Sequence, residues 1–410
     1  MERNGSISFN WQDLFNQVFK EINLGDLADK FNKEYKEKVE KMGYVNIIVA
    51  GRTGSGKSTL INAAFRENIA ETGLGNPVTE KIRLIEKPGV PVKIYDTVGL
   101  ELNKETQKAS IDDIQKLIVE KSRSQDPREM IHLIWYCVSV ESERFETVEQ
   151  EFVTAIASNS APLVVIATKA FDQELTERFV HNLEARNLPV RKVMPVLSQD
   201  KLDYKAYGVD DLVEYSVALL DEAAQEAWVN ATKNTKLKKE RAHALVTGTS
   251  LTNFAVGFVP IPFADAGILA AAEMGMLAGV AAIYGFNLDK NKIMGFISGL
   301  AGVGGATLLG KTIVSNLLKF LPGAGTVIGG AISGTTAAAL TFALGEAFIT
   351  VMDMIASGKI DASQIDSKSV INKVSKVFKD NLKLGLKRFK TEANESNEDG
   401  ESESNTLIKD

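Results

Sequence analysis

Gly51-Arg-Thr-Gly-Ser-Gly56-Lys57-Ser58 places two glycines with four residues between them, the second directly ahead of a lysine and a hydroxyl. That spacing suits phosphate chemistry. Glycines let successive backbone N–H groups turn inward around an anion, and a following helix adds positive potential at its N-terminus. The context agrees: an apolar run, VNIIVA, precedes the motif and a helical pattern, TLINAAF, follows it. Gly51, Arg52, Thr53, Gly54, Ser55, Gly56, Lys57, Ser58 and Thr59 are therefore the candidate cradle of a nucleoside triphosphate. Lys57 is expected to reach the β- and γ-phosphates, and the Ser58 hydroxyl to ligate Mg²⁺.

Asp96-Thr-Val-Gly99 closes another apolar run, VKIY. A carboxylate at such a strand end can hold the Mg²⁺ shell through water, and Gly99 can present its N–H to the γ-phosphate. A helix N-cap is the other reading of Asp96. Thr79, in Gly75-Asn-Pro-Val-Thr79, is the candidate second hydroxyl on the metal, with Thr72 competing and a solvated loop threonine as the plain alternative. Arg52 either points to solvent or acts across a face-to-face dimer of two such domains. His132, His181 and His243 are scattered, which gives no metal cluster of the zinc kind. The single cysteine, Cys137, lies in an apolar run and reads as a buried thiol.

These residues need a scaffold that brings strand ends together. Val45–Ala50, Val92–Tyr95, Ile131–Val138, Leu163–Ala167 and Val193–Leu197 are short apolar, β-branched runs separated by longer helical patterns. Buried parallel strands with helical crossovers make a doubly wound α/β domain over residues 44–208. Ahead of it, Trp11, Leu14, Phe15, Val18, Phe19 and Ile22 recur at helical spacing, an amphipathic segment within residues 1–43. Residues 209–243 read as one linking helix ending in Lys233, Lys236, Lys238, Lys239 and Arg241.

Asp96-Thr-x-Gly99, with Thr79 and the Lys-containing turn after Val164–Ala167, resembles the translation-factor-related P-loop GTPases, within them the Era, septin and immunity-related neighbourhood. The resemblance implies GTP as ligand and substrate, Mg²⁺ as cofactor, and base recognition by an Asn/Thr-Lys-x-Asp turn. Here that turn is Thr168-Lys169-Ala170-Phe171-Asp172, with the carboxylate one residue late. Thr168, Lys169 and Asp172 are the candidate base-side residues by this resemblance, and Ser198 stands where a further base-contacting loop is expected. Leu100 replaces the water-orienting glutamine of Ras-like proteins, which implies slow or dimerisation-stimulated hydrolysis. An ATP-dependent P-loop enzyme and a nucleotide-binding scaffold with negligible hydrolysis are the rival readings.

The second half differs in texture. Residues 244–390 are rich in Gly and Ala and read as an all-α domain. Ile293–Gly310 and Phe320–Gly345 carry no charge over 18 and 26 residues. The small-xxx-small spacings Gly295/Gly299, Gly325/Gly329 and Gly330/Gly334 allow helices to approach closely. This segment resembles the glycine-rich C-terminal domain of certain bacterial Era-like GTPases, which implies membrane association. A compact soluble helical domain is the alternative, to which Asp265, Glu273 and Glu346 point. Lys373, Lys376, Lys379, Lys383, Lys387 and Arg388 make the last helix basic and amphipathic, suited to an anionic leaflet. The last twenty residues hold seven acids and one lysine and are expected to be disordered. The formal net charge of -6 comes largely from that tail, so it argues neither for nor against nucleic acid, and no nucleic-acid partner is otherwise indicated. The N-terminus lacks an apolar signal core, so the chain is expected in the cytoplasm, peripheral or integral at a membrane's cytosolic face.

Overall fold

The computed structural model describes residues 24–72, 74–79, 82–97, 104–124, 126–157, 161–256, 266–301 and 334–404. They divide into two compact units, one within Glu40–Lys238 and the other made of residues before Glu40 and after Lys238. The helices are α1 Leu24–Met42, α2 Lys57–Ala64, α3 Ile69–Thr72, α4 Lys104–Ser122, α5 Thr147–Ala157, α6 Gln173–Glu184, α7 Val209–Val217, α8 Glu222–Ala231, α9 Thr235–Val256, α10 Ala266–Tyr284, α11 Lys290–Ala301, α12 Gly334–Ala356 and α13 Lys368–Ser404. The strands are β1 Val45–Gly51, β2 Leu74–Pro77, β3 Ile82–Lys87, β4 Val90–Thr97, β5 Leu133–Ser139, β6 Leu163–Thr168 and β7 Lys192–Val196.

The first unit is built on one sheet with strand order β2-β3-β4-β1-β5-β6-β7. β4, β1, β5, β6 and β7 run parallel. β2 and β3 add an antiparallel edge. The five parallel strands are the five apolar runs of the sequence, because a strand covered by helices on both faces needs no polar alternation. The register aligns their C-terminal ends: Gly51 pairs with Cys137, Ser139 with Thr168, and Thr168 with Val196. One edge of the sheet thus carries every loop that could meet a nucleotide, as expected for this architecture.

The linking helix expected over 209–243 is instead three helices. Asp221 caps α8 by accepting from Ala224 N at 2.8 Å, and Asn234 Oδ1 accepts from Leu237 N at 2.8 Å at the start of α9. Such short polar side chains compete with the helix backbone and break the run. α8 belongs to the first unit's core. Trp228 is fully buried and meets Trp135 edge-on at 5.5 Å and Phe65 at 5.4 Å. Its indole N–H donates to Val213 O at 3.1 Å, so the buried polar atom is satisfied.

The second unit gathers α1 and α9–α13 around one apolar core that includes Phe31, Val246, Tyr284, Phe296, Phe348 and Phe389. Glycines here serve close packing. A Cβ on Gly345 would fall 2.5 Å from both methyls of Val246, and one on Gly299 would fall 2.8 Å from Ile371 Cδ1. α12 is long and apolar enough over Ala338–Ala356 to cross a membrane, yet 72% of that stretch is buried inside the fold. The expected disordered tail is corrected in part: α13 continues through Ser404. Once nucleated, a helix adds residues cheaply, and the glutamates there are good helix formers. The segment Trp11–Ile22, residues 302–310 of the first uncharged run and residues 320–333 of the second lie outside the described residues.

Candidate functional site

β1 ends on Gly51, where the chain must turn sharply. Its φ of +144° and a would-be Cβ only 2.2 Å from Cys137 O leave room for glycine alone. Ser55 N donates to Arg52 O at 3.1 Å and tightens the loop. α2 then starts at Lys57, with first-turn N–H groups free of intrahelical partners by construction. The Lys57 ammonium reaches back into the ring, donating to Gly51 O at 2.8 Å and Arg52 O at 3.1 Å. A point charge is therefore held at the centre of a backbone loop. Thr53, Gly54 and Ser58 are exposed, and Thr59 is half-buried on the first turn of α2.

Asp96, near the end of β4, is only 8% exposed, and its Oδ1 has no hydrogen-bond partner. Burial pushes its pKa up, against the pull of Lys57 and Arg83. Asp96 Oδ2 stands 3.6 Å from Arg83 on the neighbouring antiparallel strand. The hydroxyls of Ser55 and Thr97 are also buried without partners. An orphaned carboxylate oxygen and an exposed serine hydroxyl at the helix start form a hard oxygen donor set, which fits Mg²⁺ held partly by a ligand's phosphates. Among the described residues, no group of three or more His, Cys, Asp or Glu could hold a metal.

Other sequence candidates have tasks of their own. Thr79 closes the turn between β2 and β3, its hydroxyl accepting from Ile82 N at 3.1 Å. Thr72 ends α3. Arg52 lies 3.8 Å from Glu146 of the same chain. Gly99 and Leu100 fall outside the described residues. Cys137 is fully buried, and burial pushes its thiol up to about 12, so it is inert at neutral pH.

On the far side of the cradle, Thr168 Oγ1 donates to Ser55 O at 2.6 Å, tying the end of β6 to the phosphate loop. Lys169 follows with φ +54° and donates to Glu141 Oε2 at 3.0 Å. Lys201, from the loop after β7, donates to Glu141 Oε1 at 2.5 Å and sits 3.8 Å over the Phe171 ring. Those two ammonium groups hold the Glu141 carboxyl below its usual range. Asp172 caps α6, accepting from Leu175 N at 2.8 Å. Ser198 lies half-buried just beyond β7. Glu141, Lys201 and Arg83 were missed from the sequence. Glu141 had one signal: it comes two residues after an apolar strand, as Lys169 comes one residue after the next.

Residues 46–169 match the family model described as 50S ribosome-binding GTPase. Residues 222–379 match a domain of unknown function, DUF697. The tRNA modification GTPase MnmE of Pasteurella multocida is 27% identical over 156 residues, 37% of this chain and 33% of that protein. Neuronal-specific septin-3 of Danio rerio is 25% identical over 179 residues, 36% of this chain and 48% of its own length. The chain thus spans a third to a half of these relatives. A solved probable GTP-binding protein engB is 21% identical, with 43% of this chain and 98% of that one covered, at a TM-score of 0.33, too loose a likeness to carry argument.

Proposed function

We propose, from the premise that the first unit is a P-loop GTPase domain of the translation-factor-related class, that this chain binds and slowly hydrolyses GTP and that its helical unit works at an anionic membrane surface. The observation that carries the nucleotide half is the Lys57 ammonium held 2.8 Å from Gly51 O, inside the ring. A phosphate entering there replaces two carbonyl acceptors with a stronger one, so lysine and loop are set for binding beforehand. Mg²⁺ would supply charge neutralisation to the phosphates, and Ser58 with Asp96 are the residues that would hold it. Multiple-turnover phosphate release tests hydrolysis. Turnover absent at every protein concentration, with GTP still bound, would favour a nucleotide-binding scaffold. Turnover per molecule that rises with concentration would support stimulation by a second copy through Arg52.

The membrane half rests on α13. Val370, Val374, Leu382 and Phe389 face the core, while Lys373, Lys376, Lys383, Lys387, Arg388 and Lys390 are exposed. A helix whose apolar side is mostly packed presents mainly charge, with Leu384 the exposed exception, which suits attraction to anionic headgroups at a cytosolic leaflet. Flotation with phosphatidylserine vesicles tests it. Release by high salt assigns binding to this basic face, since such attraction is screened. Salt-resistant flotation assigns it to the uncharged runs, Ile293–Gly310 and Phe320–Gly345, because apolar burial is not screened. Protein that ignores vesicles at any salt removes the membrane from the proposal.

A further inference from the structure

On the base side of the nucleotide site, the carboxylate that follows Lys169 caps a helix instead of standing free. Thr168, hydrogen-bonded to Ser55 O, fixes the residues after β6 beside the phosphate loop, so Lys169 and Phe171 flank the space open to a base, with the buried Ala170 between them. Ala170 is anchored twice, its N–H to Val196 O at 3.3 Å and its carbonyl receiving the Tyr207 hydroxyl at 2.7 Å. This part of the wall is therefore rigid.

Asp172, Glu141 and Asp200 near it are engaged, Asp200 by Lys205 Nζ at 2.7 Å and Ala206 N at 2.9 Å, and Asp203 is exposed on the loop that carries Lys201. Asp172 is exposed, with Oδ1 accepting from Leu175 N as the cap of α6. Glu141 has one oxygen on Lys169 and the other on Lys201. The groups clustered there are cationic and aromatic: the Lys169 stem, the Phe171 ring under the Lys201 ammonium, and Tyr204, whose ring lies 5.8 Å from that of Phe171. Glu141 acts as a tether, drawing lysines from two different loops to one point.

We propose that this cluster grips a purine by its faces, through stacking and cation–π contact, rather than reading its hydrogen-bonding edge, so that guanine and adenine nucleotides both bind. Every base offers a π face, whereas only guanine offers paired donors at N1 and the exocyclic amine to a carboxylate. Sites that read an N–H edge with buried acceptors reject the analogue lacking it by about 10⁴-fold or more. A face-reading site has no such lever. This inference rests on the phosphate-site reading above.

The experiment is competition between fluorescent GDP and unlabelled ADP on the full chain, with Lys57→Ala as control. The expected result is a GDP-to-ADP affinity ratio under about a hundredfold, well below that of an edge-reading site. Phe171→Asp, which moves a carboxylate one place earlier and clear of the α6 cap, should shift the ratio toward guanine by about tenfold or more. Lys201→Ala should weaken both nucleotides by a similar factor. A wild-type ratio above a hundredfold, lost in Asp172→Asn or Glu141→Gln, overturns the proposal and names the reader. If GDP binds, Lys57→Ala abolishes it and ADP never competes, only this inference fails. If neither nucleotide binds, the phosphate-site reading fails and takes this one with it.

Discussion

At Asp96 a carboxylate is buried with Oδ1 unpartnered, and burial raises its pKa although Lys57 and Arg83 pull it down. A carboxyl whose folded pKa exceeds its unfolded one binds more protons when folded, so stability falls as pH rises through that interval and stays reduced above it. Asp96→Asn should therefore raise the Tm of the nucleotide-free protein at pH 7 and flatten its decline above the ordinary carboxylate range. The same change should abolish the dependence of nucleotide affinity on Mg²⁺. Thermal melts across pH, with and without metal, check both; an unchanged or lowered Tm would count against the unpartnered carboxylate. Gly51→Ala has the opposite sign. A Cβ 2.2 Å from Cys137 O at φ +144° should cost about 2 kcal/mol or more of stability, read by urea unfolding. Lys57→Ala should leave folding nearly intact yet weaken GDP and GTP alike by roughly a hundredfold or more, since an ion-assisted contact to the phosphates is lost.

Among elements, α6 offers the cleanest separation of roles. Asp172→Ala removes the cap and should destabilise by about 1 kcal/mol, whereas Asp172→Asn keeps an equally good cap. If neither alters the GDP-to-ADP ratio, the residue serves the helix and not the base. The capping role was visible in the sequence as an aspartate directly ahead of the helical pattern QELTERF. The five central strands were equally visible, because full burial on both faces writes itself as an unbroken apolar run. β3 was not: only part of it is buried, and IRLIEK mixes charged and apolar residues instead of forming an unbroken apolar run. With it went Arg83, whose position opposite Asp96 exists only through the antiparallel pairing. The phosphate loop was legible in full, since its chemistry is local. The base side was not, since Glu141, Lys169 and Lys201 come from three separate loops and meet only once the strand ends are in register.

For the whole molecule, the boundary matters more than the motif content suggests. The first unit reaches Lys238, beyond the end of the α/β pattern at about residue 208, and α8 supplies its core with Trp228. A fragment of residues 40–238 should fold and bind nucleotide, while one of residues 44–208 should unfold at much lower urea or aggregate. Within the longer fragment, Trp228→Ala should cost about 3–5 kcal/mol, as for other fully buried large aromatics. Equal stability of the two fragments would show that α8 is peripheral. The second unit packs through glycines that would clash with any Cβ, so Gly345→Ala, facing Val246 at 2.5 Å, should destabilise it by roughly 1–3 kcal/mol through overpacking.

The perpendicular pair Trp135 and Trp228, 5.5 Å apart and next to the Phe65 that ends α2, also gives the protein an internal optical gauge. Two indoles at that separation and angle couple their transitions, so the folded first unit should carry a strong near-ultraviolet dichroism band that vanishes when α8 leaves the sheet. The chain has three tryptophans, and the third, Trp11, lies outside that unit. With Trp11 replaced by phenylalanine, every photon of indole emission comes from the nucleotide-binding half. Helical ellipticity then reports mostly on the other half, and one heating experiment can time the two losses separately.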